Sequence, residues 1–158
     1  MDDSHATAPL ALPYVFSATI QVGAPLDVAI VPGGRRRVVP ILGGAVAGPR
    51  LAGTVLPGGA DWQVVEDDGA TSLVARYVIR AADGTLISCV NTGLRHGPAE
   101  VLARLAAGEA VDPGSYYFRA APVFEAAPGR HHWLTRRLFV STGTRSPGEV
   151  RLAFHMVP

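Results

Sequence analysis

From Tyr14 to Val22 apolar and polar positions alternate: Tyr14, Phe16, Ala18, Ile20 and Val22 share one face, and Ser17, Thr19 and Gln21 the other. A period of two predicts a half-buried strand. Arg36–Leu42, Arg50–Leu56 and Trp62–Glu66 read as further strands. Asp67-Asp68-Gly69 and Asp83-Gly84 are turn signals around Ser72–Arg80 and Thr85–Asn91. Tyr116–Ala121, His131–Ser141 and Val150–Val157 complete the pattern. The period changes once. Pro98 suits a first helical position, Val101, Leu102 and Leu105 form an apolar stripe, and Gly108 suits the stop.

About nine short strands with one short helix predict an all-β sandwich or barrel. An antiparallel barrel is preferred, because closure removes exposed sheet edges and about eight strands leave room for one small ligand. Residues 1–9 read as a flexible tail and 10–158 as one domain, with no repeat or linker to divide them.

Composition removes whole classes of function. Hydrophobic residues make 48% of the chain and charged ones 17%, which supports a packed core rather than disorder. Fourteen basic residues nearly balance thirteen acidic ones, so a nucleic-acid partner is not expected. Every basic residue is arginine. Without lysine there is no Schiff base, no pyridoxal phosphate anchor and no P-loop, and no cofactor is expected. Cys89 is the single cysteine, so neither an internal disulfide nor a thiolate metal cluster can form. The start is acidic and Pro9 and Pro13 interrupt it, unlike a secretory leader, and no apolar run approaches the ~20 residues of a membrane span. A soluble cytoplasmic protein, without a membrane partner, is the expectation.

Candidate chemistry concentrates at Gly48-Pro49-Arg50-Leu51 and Pro57-Gly58-Gly59-Ala60-Asp61-Trp62, read as a strand, a tight bend and an acid beside an indole. Asp61 is either a general base or ligand acceptor, or a cap on the turn. Trp62 is either a pocket wall or core, and strand alternation sets it opposite Asp61. Arg76 lies on a strand apolar on both faces. A buried guanidinium needs an anion, from a ligand or from Asp61 as an ion-pair partner. Tyr117 and Arg119 share a face and could donate to an oxyanion, or be packing and solvated surface. Asn91 is a ligand donor or a turn residue. His131 is a proton shuttle or a rim histidine; with His132 diverging from it and the other histidines scattered, no metal site is expected. Arg35-Arg36-Arg37 reads as a solvated strand edge, or less favourably as an anionic-ligand rim. Cys89 reads as a small buried hydrophobe, and no Gly-x-Ser-x-Gly elbow supports a serine hydrolase.

These blocks, with Ala75-Arg76-Tyr77, Asp83-Gly84, Tyr116-Tyr117-Phe118-Arg119, Phe124 and Trp133-Leu134, resemble the DUF3237 (UPF0311) family from about Tyr14 to the C-terminus. The resemblance implies a lipocalin-like antiparallel β-barrel. It implies no particular activity and assigns no residue a role.

Two functions fit. One is a cofactor-independent enzyme, isomerase, cyclase or hydratase-like, acting on a small apolar carbonyl or aromatic compound. Asp61 would move the proton, Arg76 with Tyr117 or Arg119 would hold the oxyanion, and Phe124 and Trp133 would shape the apolar wall. The alternative is a carrier that binds a hydrophobic metabolite without changing it. A filled barrel with no cavity is a third expectation, and a homodimer is compatible with all three.

Overall fold

The structure, a computed structural model, describes residues 9–158; the acidic start of the predicted tail lies outside the described residues. Ten strands and one helix follow in chain order: β1 Tyr14–Val22, β2 Leu26–Val31, β3 Gly34–Ala47, β4 Gly53–Val55, β5 Ala60–Val65, β6 Thr71–Ala81, β7 Leu86–His96, α1 Ala99–Ala106, β8 Tyr117–Ala126, β9 Leu138–Ser146 and β10 Glu149–Val157. All pairings are antiparallel. The sheet runs β1-β10-β9-β8-β7-β6, then through β4 and β5 to β3, which pairs back onto β1. Because β4 and β5 share one place and β2 pairs only β3, eight strand positions close the barrel.

β4 and β5 correct the expected bend. Gly44 and Val46 pair Val55 and Gly53, and Pro40 and Arg35 pair Ala60 and Val65, so both pieces run along β3 in one direction. Pro57-Gly58-Gly59 is a bulge within a strand line, not a reversal. Gly58 takes φ +105°, which a side chain would strain. The Ile41 amide donates to the Gly59 carbonyl at 2.9 Å and anchors the irregularity. The bulge re-aims the chain just before Asp61.

β3 spans both halves of the wall: its first half pairs β2 and β5, its second β1 and β4. The switch falls at Gly43-Gly44, where a Cβ on Gly44 would strike the Thr19 carbonyl oxygen. Glycine there permits the close approach that closes the barrel.

The two ends differ. One is filled by Phe16, Phe124, Phe139 and Phe154, with Phe16 stacked on Phe154 at 4.5 Å and Phe139 edge-on to Phe124 at 5.2 Å. Burying each ring contributes about 2 kcal/mol. At the other end α1 buries Leu102 and Leu105. Pro98 is its N-cap rather than its first helical residue. The expected strand His131–Ser141 starts instead with a 3₁₀ turn at His132–Thr135, and β9 begins at Leu138. Among the described residues no helix is long and apolar enough to cross a membrane.

Candidate functional site

Below α1 the barrel is hollow, with a cavity of about 260 Å³. Ile20, Val39, Ile41, Leu73, Phe118 and Leu152 supply its apolar wall. The polar groups come from alternate positions of β3, β5, β6, β7 and β9, which strand parity turns inward. In one cross-strand row Asp61 faces Ala75 and Ala75 faces Asn91. The single methyl of Ala75 leaves open space between an acid and an amide. Two residues deeper on β6 stands Tyr77, and towards the mouth β7 carries Arg95.

A hydrogen-bonded chain fixes the acid. Arg37 donates through Nε and Nη2 to Gln63 Oε1 at 3.0 and 2.7 Å. Gln63 Nε2 donates to Asp61 Oδ2 at 2.6 Å. The other carboxylate oxygen, Asp61 Oδ1, is buried with no partner among the described residues. Tyr77 Oη and Asn91 Oδ1 are in the same condition. All three residues line the cavity. Buried polar atoms are almost always satisfied, so three orphans on residues around one hollow make it the candidate site.

Burial pushes the Asp61 carboxyl up from 3.8 to about 6, against the Gln63 hydrogen bond and the pull of Arg95 and Arg37. It becomes a stronger base than an ordinary carboxylate while staying mostly ionised at neutral pH. Burial lowers the Arg95 guanidinium from 12.5 to about 10, with repulsion from Arg145 and Arg37 adding to it. Desolvation lowers Arg37 and Arg145 too. Burial raises the Tyr77 phenol well above its ordinary range, so it keeps a proton that it can donate. The Cys89 thiol, pushed by burial to about 12, is inert. Among the described residues no three His, Cys, Asp or Glu side chains gather as a metal cluster.

Of the residues singled out from sequence, Asp61 and Asn91 line the cavity. Arg76 does not. It faces Ala60 across the β5–β6 ladder and is exposed on the outer wall, one strand position out of phase with Leu73, Ala75 and Tyr77. It therefore neither pairs with Asp61 nor reaches the cavity. Trp62 is 47% exposed and Tyr117 44%, both on the outer face with Arg119, where they border a shallow groove. Tyr117 stacks on His96 at 4.8 Å, and Arg119 donates to the Phe118 carbonyl. Phe124 is core at the filled end. His131 and Trp133 sit at that end as well. His131 Nε2 is 2.9 Å from Asp83 Oδ2, and the Arg50 guanidinium lies 3.9 Å over the Trp133 ring. None of these outer or far-end groups can act with Asp61 on one small molecule.

The groups that do surround Asp61 are Arg37, Gln63, Tyr77, Arg95 and Arg145. Parity carried further along each strand would have found them. Ile87, Cys89, Asn91 and Gly93 lead to Arg95, and Phe139, Ser141 and Gly143 lead to Arg145.

A closed antiparallel barrel with a polar pocket in one end defines the class. Residues 10–157 match the family model "Protein of unknown function (DUF3237)", and the chain belongs to that family. It is 42% identical over 146 residues to a UPF0311 protein of Clostridium acetobutylicum, covering 90% of this chain and 91% of that one. The crystal structure of a conserved protein of unknown function from Rhodopseudomonas palustris is similar, with TM-score 0.92 and 38% identity over 96% of this chain and 100% of that one. The crystal structure of an enzyme from Penicillium herquei has the same fold, with TM-score 0.72 over 96% of this chain and 97% of that one. At 21% identity it shows the fold alone.

Proposed function

We propose that the cavity is the active site of a cofactor-independent proton-transfer enzyme, of the isomerase, cyclase or hydratase kind, for a small, mostly apolar carbonyl or aromatic compound. The observation that carries this is Asp61: a desolvated carboxylate that lines the hollow, one oxygen tied to Gln63 and the other buried without a partner. In an isomerisation Asp61 takes a proton from carbon beside the carbonyl, and the C–H electron pair moves into the carbonyl as an enolate. The enolate oxygen is held by Tyr77 or a guanidinium, and the proton returns to a different atom. A preorganised cation in an apolar cavity stabilises such an oxyanion far more than water does.

The test uses 5-nitrobenzisoxazole, a neutral probe of carboxylate bases in apolar sites. A base removes its C3 proton, the electron pair forms the nitrile, and the N–O bond breaks to give a coloured phenolate. Wild type should accelerate this elimination, with a rate that rises through pH about 6 as Asp61 ionises, and Asp61→Asn should lose it. A wild-type rate no greater than that of Asp61→Asn removes the base assignment. Tight ligand binding without any turnover would leave the carrier reading.

A further inference from the structure

Resting on the reading of the cavity as a small-molecule site, we infer that its ligand is an acid with two polar ends. It carries a carboxylate at the mouth against Arg95 and Arg145, and at depth a hydroxyl that accepts from Tyr77 Oη and donates to Asn91 Oδ1.

Charge is the first ground. Arg37, Arg95 and Arg145 line the cavity, and Asp61 is the one carboxylate that does. Arg37 is occupied by Gln63. Arg95 is only 5% exposed, yet no carboxylate of the described residues lies within 4.0 Å of its guanidinium or of that of Arg145. Glu66, Asp67 and Asp68 stand exposed on the turn outside the mouth and reach neither. A buried guanidinium without an anion is costly to the fold. Arg95, buried and depressed further by the charge of the half-buried Arg145, is better explained by an anion that arrives with the ligand. Arginine is suited to receive a carboxylate through two parallel hydrogen bonds.

Position is the second ground. Along β7, Arg95 stands four residues beyond Asn91 towards the mouth, about 13 Å at the rise of an extended strand. Tyr77 lies two residues beyond Ala75 towards the filled end, about 7 Å further. Tyr77 and Asn91, with their orphaned oxygens, therefore stem from strand positions deeper in the hollow than that of Arg95. Between them the wall is Leu73, Ala75, Ile41 and Leu152. The ligand this describes has an apolar body of about two fused rings or the equivalent chain, with polarity confined to its two ends. Arg145 also borders the groove between β2 and α1, so the acid end faces the route from solvent.

The experiment compares three fluorescent probes. 6-Hydroxy-2-naphthoate carries both ends, 2-naphthol lacks the carboxylate, and 2-naphthoate lacks the hydroxyl. Wild type should bind the first at least about tenfold more tightly than either of the others. Arg95→Gln and Arg145→Gln should each reduce the carboxylate's advantage while 2-naphthol still binds, which also reports that the variant folds. Tyr77→Phe should abolish the hydroxyl's advantage and leave that of the carboxylate. Equal wild-type affinity for 6-hydroxy-2-naphthoate and 2-naphthol overturns the inference, as does an advantage unchanged in both arginine variants. If no naphthalene binds but Asp61-dependent elimination of 5-nitrobenzisoxazole persists, the acid-class assignment falls and the proposed function stands. If both fail, the function falls too.

Discussion

Replacing Arg95 by methionine should make the ligand-free protein more stable. The Arg95 guanidinium drops from 12.5 to about 10 because it is buried beside Arg145 and Arg37. At pH about 7.5 it is protonated in both the folded and unfolded chain, so the whole penalty is present at that pH, and it fades only as pH rises towards 10 and beyond. At about 1.4 kcal/mol per pH unit the penalty is about 3 kcal/mol. Methionine keeps an apolar stem in the same space. That shift is already net of the attraction to Asp61, so against the gain stands only a contact with the Phe118 ring at 5.6 Å, about 1 kcal/mol. The net expectation is about 2 kcal/mol of added stability. For 158 residues the unfolding entropy is about 330 cal/mol/K, so the midpoint should rise by about 6 °C. Urea denaturation with an unchanged m-value and a calorimetric scan would both read it. The same variant should lose its preference for 6-hydroxy-2-naphthoate. A variant less stable than wild type by about 1 kcal/mol or more would show that Arg95 holds the fold together, and the reasoning from its unpaired charge would be wrong.

Three further outcomes follow from the same geometry. Because the folded Asp61 pKa of about 6 exceeds its ordinary 3.8, stability should fall as pH rises through that window; Asp61→Asn should remove the fall, gaining about 3 kcal/mol at pH about 7.5 and nothing near pH 3.5, read by denaturant titrations at both. Ala75→Leu should fill the space between Asp61 and Asn91, abolishing probe binding while costing the fold no more than about 1 kcal/mol; retained binding would place the ligand elsewhere. Arg76→Ala, on the outer wall, should change stability by no more than about 0.5 kcal/mol and leave the elimination rate and naphthoate binding unaltered.

The wall of the barrel was legible because most strands keep a period of two. β1 is read at its observed bounds, and β6 and β10 within a residue of theirs. β2 escaped for a physical reason: Leu26, Val28 and Ile30 are 63%, 54% and 83% exposed on a ribbon paired only with β3, so its apolar residues serve no core periodicity. The direction of each face was harder. β6 carries Val74 and Val78 outward and Leu73, Ala75 and Tyr77 inward, so apolarity on both sides concealed that Arg76 points away. Asp61 was found because an acid beside a glycine pair is conspicuous. Its partners Arg95 and Arg145 escape the pattern because the strands it predicts stop at Asn91 and Ser141, short of the observed ends of β7 and β9. The continuations pass through Gly93 and Gly143, which have weak strand propensity, and neighbouring ladders hold them extended. Arg37 is hidden in a run of three arginines: its phase with Val39 and Ile41 separates it from Arg36, but Arg35 shares that phase and only the pairing with Gln63 tells the two apart.

Everything functional here turns on whether Asp61 is a desolvated base inside the hollow. Carbon-detected NMR of the aspartate side-chain carboxyls, with Asp61→Asn to identify the resonance, measures this directly. Titration of the Asp61 signal with a midpoint at about 6 is the predicted result, moving higher when 6-hydroxy-2-naphthoate adds a second negative charge nearby. A midpoint at the ordinary 3.8, unmoved by the probe, would contradict the account.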